Sequence, residues 1–117
     1  GHLSEVMDVT FSPDGQIVAS SSRDLAVRLW RVSDGSSLYT LSNHFNAVSS
    51  IVFSPNQELL VSGSWDKRIR FWKVADGNLL HSIESPGAIE GISFSPKGDL
   101  VASGSDDGVI RLWGVTP

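Results

Sequence analysis

The 117-residue chain carries nine basic and thirteen acidic residues, for a net charge of −4, and 40% of it is hydrophobic. That is one domain's length with enough apolar material for a core, which excludes a disordered chain. It lacks the concentrated positive charge that grips a phosphate backbone, and apolar runs such as residues 59–61 are far short of the roughly 20 needed to span a bilayer, so neither nucleic acid nor membrane is an expected partner.

Three copies of one pattern follow in order. Phe11, Phe53 and Phe94 each precede a proline by two residues (Pro13, Pro55, Pro96) and a tryptophan by nineteen (Trp30, Trp72, Trp113), with steps of 42 and 41 residues between copies. In the first copy Val9 and Phe11 alternate with polar neighbours, residues 17–19 are apolar on both faces, and residues 27–30 form a third short run, all of which predicts strands. The second copy repeats them at 48–53, 59–62 and 69–73, and the third at 89–94, 100–103 and 110–113. The first two runs of each copy are joined by Ser12-Pro-Asp-Gly15, Ser54-Pro-Asn-Gln57 and Ser95-Pro-Lys-Gly98, where proline presets φ and Gly or Asn accepts a positive φ. After the third run, Asp34-Gly35 and Asp76-Gly77 predict hairpins into fourth strands at 37–41 and 79–83. The third copy reaches 117 where such a turn would start, so the expectation is eleven strands in meanders of four, four and three. Strands apolar on both faces need a neighbour on each side, so the copies must stack.

These residues resemble the WD-repeat β-propeller family over the whole chain: Gly-His, an apolar-x-Phe-Ser-Pro-Asp-Gly strand and turn, Ala-Ser-x-Ser-x-Asp, then Ile-Arg-Leu-Trp. The repeats are as alike as those of bacterial WD-repeat proteins. The literal Trp-Asp pair is absent, since Arg31, Lys73 and Gly114 follow the three tryptophans. The resemblance implies an all-β propeller segment with blades at 1–41, 42–83 and 84–117, the last lacking its outer strand. It also implies a hydrogen-bonded tetrad in each blade: His2, Ser20, Asp24 and Trp30; His44, Ser62, Asp66 and Trp72; and, without a histidine, Ser103, Asp107 and Trp113. The third blade is therefore expected to be held less firmly.

Ser, His and Asp together also raise a catalytic reading. Nucleophilic chemistry needs one activated serine beside an oxyanion site, whereas here the trio recurs with each tryptophan, which marks it as scaffold. No catalytic residue, cofactor or metal site is expected. The chain has no cysteine, which removes disulfides and thiolate chemistry, Asp106 reads as a solvated turn residue and His81 as a surface residue. No export signal opens the chain, so a cytoplasmic location is the default expectation, with the native start left open because residue 1 is Gly.

The expected function lies in surfaces. Partners of propellers resembling this one commonly dock on the face of the d-to-a and b-to-c loops, a, b, c and d being the successive strands of a blade. That maps to Glu5, Met7 and Arg23; Ala47, Ser49 and Trp65; and Ala88, Glu90 and Asp106. Trp65, beside the Phe45 loop, is the expected anchor if its turn is exposed, with packing against a neighbouring loop as the alternative. The basic cluster Lys67, Arg68, Arg70 and Lys73 reads as a solvated outer strand. Known closed propellers use about four to eight blades, so three leave an apolar face at each end. Either copies close a ring, as a dimer of six blades or a trimer of nine, or the segment belongs to a longer chain. The leading expectation is a non-enzymatic protein-interaction scaffold, and the second a structural building block, natural or engineered, that self-assembles.

Overall fold

A computed structural model describes residues 4–42 and 44–115. Among them are eleven strands and no helix. The first sheet runs β1 (Val6–Phe11), β2 (Ile17–Ser22), β3 (Val27–Arg31) and β4 (Ser37–Leu41), and the second β5 (Val48–Phe53), β6 (Leu59–Ser64), β7 (Arg68–Lys73) and β8 (Leu79–Glu84). The third has β9 (Ile89–Phe94), β10 (Leu100–Ser105) and β11 (Ile110–Gly114). All pairings are antiparallel between chain neighbours, and the register repeats: Phe11 faces Val18, Phe53 faces Leu60, and Phe94 faces Val101. The architecture is three propeller blades of four, four and three strands.

Each turn has a local cause. The serine opening the first hairpin of each blade accepts the amide five residues on, from Ile17, Leu59 and Leu100, at 3.0–3.1 Å. Positive φ falls at Gly15, Gln57 and Gly98, the last residue of each turn, so in the second blade Gln57 rather than Asn56 takes the left-handed conformation. The second hairpins are Asx-turns, in which Asp24, Asp66 and Asp107 accept the amide two residues later.

Two apolar seams hold the blades together. Ala19, Val27 and Leu29 of the first blade pack on Val48, Ile51, Phe53, Leu60 and Trp72 of the second. Val61, Ile69 and Phe71 of the second pack on Ile89 and Val101, with Ile92, Phe94 and Trp113 partly buried beside them. Each large side chain buried in a seam contributes about 1.5–3 kcal/mol. The second blade is covered on both faces, so Ile69 to Trp72 in β7 are buried without alternation. In β11 the same positions alternate, and Ile110 and Leu112 are 77% and 67% exposed. On the opposite end, Val9 and Phe11 of β1 are exposed as well. No helix among the described residues is long and apolar enough to cross a membrane.

Candidate interaction face

The polar network of the second blade fixes the loops above it. Trp72 Nε1 donates to Ser62 Oγ at 2.8 Å, Ser62 Oγ lies 2.6 Å from His44 Nε2, and His44 Nδ1 lies 3.0 Å from Asp66 Oδ2. Such bonds are worth about 1 kcal/mol each, and roughly 1.5–3 where a charge takes part. The Nδ1-protonated tautomer suits this chain, donating to Asp66 and accepting the Ser62 hydroxyl proton. The Phe45 amide and Arg70 Nη1 also donate to Asp66 Oδ2, at 2.9 and 2.8 Å. Burial would raise the Asp66 carboxyl, but these donors outweigh it and hold the group well below the usual carboxylate range.

Arg70 corrects the solvated reading of the basic cluster. It is buried, with Nη1 also 2.6 Å from His44 Nδ1. Lys67 and Lys73 are exposed and Arg68 is half-buried. A signal for Arg70 was available in the sequence: an arginine follows the turn aspartate by four residues in every copy, as Asp24/Arg28, Asp66/Arg70 and Asp107/Arg111.

In the first blade Trp30 Nε1 donates to Ser20 Oγ at 3.0 Å, and Arg28 lies 4.0 Å from Asp24. His2, assigned to that tetrad, lies outside the described residues. In the third blade Trp113 Nε1 donates to Ser103 Oγ at 2.9 Å, while Asp107 is held by Arg111 Nη2 at 2.8 Å. The Arg111 hydrogen bond, followed by that of Ser105, keeps the Asp107 carboxyl low. Ser85 occupies the place of His44. It is buried, and its hydroxyl finds no partner among the described residues.

The expected docking residues divide between surface and seam. Ala47 and Ala88 are buried and present no side chain to a partner, a correction that follows from their position against the b-to-c loops: the Trp65 and Asp106 amides donate to their carbonyls at 3.0 Å. Ser49 is half-buried and donates to the Ile89 carbonyl of the next blade. Met7 is half-buried, whereas Glu90 is exposed. Asp106 is exposed but not merely solvated, since its carboxylate accepts the Ala88 amide at 3.0 Å. Trp65 is half-buried rather than free: the Arg23 guanidinium from the first blade lies 5.2 Å over its ring, and its buried Nε1 has no partner among the described residues. Glu5 lies 3.8 Å from Arg23. Phe45 is 80% exposed, with Arg70 5.6 Å from its ring centre. Glu5, Arg23 and Trp65 therefore form one charged-aromatic ladder across two blades, and Phe45 rises beside it from the Asp66 network.

A segment of repeated antiparallel blades, of four, four and three strands, with a Trp–Ser bond in each defines a β-propeller repeat protein. The sequence profile described as WD domain, G-beta repeat matches residues 1–31, 35–73 and 77–114, and the chain belongs to that family. Among similar proteins are the transcriptional corepressor LEUNIG_HOMOLOG of Arabidopsis thaliana, 50% identical over 46 residues (39% of this chain, 6% of the relative), and the 26S proteasome regulatory subunit RPN14 of Saccharomyces cerevisiae, 42% identical over 43 residues (37% and 10%). The small ribosomal subunit protein RACK1 of Drosophila melanogaster is 41% identical over 44 residues (38% and 14%). Each match is about one repeat long, and the chain spans a small fraction of these relatives.

Proposed function

We propose that this chain is a non-enzymatic scaffold that presents the Glu5–Arg23–Trp65 ladder and Phe45 to a protein partner. The observation that carries this reading is Phe45, 80% exposed on a loop whose amide is tied to Asp66. An exposed aromatic on a fixed loop binds with little ordering cost. Two of the relatives are named as components of larger assemblies, which supports the same reading. The Ser62–His44–Asp66 chain offers no competing chemistry, because Ser62 is fully buried and already accepts the Trp72 indole. Peptides selected on the immobilised chain should lose roughly 10- to 100-fold in affinity with Phe45→Ala or Trp65→Ala, at unchanged oligomer size. Binders indifferent to both substitutions would refute the assignment of this face.

A second reading, a building block whose activity is self-assembly into a closed ring, is favoured by one observation. The end blades expose apolar side chains at positions that are buried in the middle blade.

A further inference from the structure

We infer that the partner docked on this face is an acidic segment, in which an apolar side chain packs on Phe45 and a carboxylate side chain, on the first-blade side of that anchor, is gripped by Arg23. This rests on the docking reading above and adds the chemistry and the direction of the partner.

Both aromatic rings of the face already carry a cation. The Arg70 guanidinium lies 5.6 Å from the centre of the Phe45 ring, and that of Arg23 lies 5.2 Å from the centre of the Trp65 ring. Arg70 is fixed there, being 4% exposed with Nη1 2.8 Å from Asp66 Oδ2. An aromatic face attracts a cation through its negative quadrupole, and a guanidinium on one face satisfies that attraction and repels a second cation brought to the other. Phe45, 80% exposed, therefore offers a partner apolar area rather than a cation site.

Arg23 offers the complementary charge. Its backbone amide donates to the Glu5 carbonyl at 3.1 Å and that of Trp65 to the Ala47 carbonyl at 3.0 Å, so the stacked pair stands on two tied turns. Among the described residues, the Arg23 side chain meets one anion, with Nε 3.8 Å from Glu5 Oε2, and the two side chains are 50% and 78% exposed. Neither terminal nitrogen of Arg23 has a hydrogen-bond partner among those residues. A planar guanidinium held flat on an indole, with its outer fork open, matches the two oxygens of a carboxylate. A loose, solvated ion pair contributes little, so Glu5 competes weakly for that fork.

The surrounding charges set the direction. Asp66 is paired with Arg70 inside the second blade, and Lys67 beside it is exposed. Arg68 is paired with Glu84 at 3.2 Å. The exposed carboxylates Glu90 and Asp106 stand on the third blade. An acidic segment is thus drawn to the first two blades and kept from the third, which puts its carboxylate on the Arg23 side of the anchor.

The test uses short synthetic peptides, acetylated and amidated at their ends, with a leucine or phenylalanine anchor and glutamate, glutamine or lysine at each position on either side of it. Fluorescence anisotropy reads their affinity for the full chain at low and high salt. The tightest binders are expected to carry glutamate, and its exchange for glutamine should weaken them roughly 10-fold, and for lysine more. That gap should narrow as salt rises. Arg23→Gln should abolish the glutamate preference while leaving the glutamine peptides bound, Arg23→Lys should retain part of it, and Phe45→Ala should weaken every peptide. Near-UV circular dichroism checks that each variant keeps its fold. Equal affinity for glutamate and lysine peptides, or a preference that persists in Arg23→Gln, overturns the inference alone. A preference for lysine assigns a basic partner and likewise overturns it. Binding that ignores both Phe45 and Trp65, or no binding by any peptide, overturns the docking reading with it.

Discussion

His44 is enclosed between the Ser62 hydroxyl and the Asp66 carboxylate, with a permanent cation 2.6 Å from its Nδ1. Burial first, and Arg70 in addition, lower its pKa below the ordinary 6.5 against the opposing pull of Asp66. An unfolded His44 takes up a proton near pH 6.5 that the folded ring resists. Its contribution to stability is thus complete above that pH and is lost as the pH falls below it. The depressed carboxyl of Asp66 adds a further loss in the acid range, beginning below its ordinary 3.8. Urea midpoints should therefore decline between about pH 7 and pH 5, and His44→Gln should flatten that decline while costing about 1–3 kcal/mol at neutral pH. A wild-type profile that is level over this range would contradict the neutral, buried histidine. His44, Ser62, Asp66 and Trp72 enter this network as the residues that the resemblance to the WD-repeat family implies, and composition and alternation alone do not mark them as one. The burial of Arg70 runs against the ordinary expectation that a cation on a strand faces water, and only the recurring aspartate-to-arginine interval of four residues marks it otherwise.

At the scale of the element, the turns carry a residual strain that differs from blade to blade. The residue after the tetrad aspartate is left-handed in all three blades, at Leu25 (φ 74°), Lys67 (φ 68°) and Gly108 (φ 79°), yet only the third is glycine. A side chain in this region costs about 1–2 kcal/mol, against the roughly 0.5–1 kcal/mol of extra chain entropy that glycine loses on folding. Lys67→Gly is therefore expected to stabilise the chain by about 0.5–1 kcal/mol, read from thermal or urea unfolding, and a destabilisation would show that the exposed lysine makes a compensating contact. The strand order and the Asp-Gly hairpins were legible, because turn residues and alternation are local signals. The strands run past the ends that alternation predicts: β2 extends to Ser22 and β6 to Ser64, because serine hydroxyls in β6 bond backbone and indole groups and so sit comfortably inside the sheet.

Across the whole molecule, stability resides in the seams, so equivalent substitutions should differ according to which seam they touch. Gly63→Val forces Ile89 and Ile92 away from β6 and is expected to destabilise the chain by about 1–3 kcal/mol at any concentration. Gly104→Val, at the equivalent position of the third blade, meets open space, so it should leave the stability of the chain nearly unchanged. Equal losses from the two would mean that Gly104 serves its own blade rather than a junction. The apolar end faces were foreseeable from the repeat alone, since strands apolar on both sides demand two neighbours. Packing of Trp65 on a neighbouring loop is one of the two expectations for it, but Arg23 as its mate is not foreseeable, because no spacing within one copy reveals how loops of different copies approach.

Gly63, where the next blade comes close, and its equivalents Ser21 and Gly104 are all small, and they recur in step with the 42- and 41-residue repeat. A gene encoding such a chain can gain or lose one whole repeat without any junction having to be invented or abandoned, because every blade brings one half of the same seam on each side. Circumference then becomes a quantity that duplication and deletion can adjust directly, with selection acting on curvature and loops rather than on the chemistry of each contact.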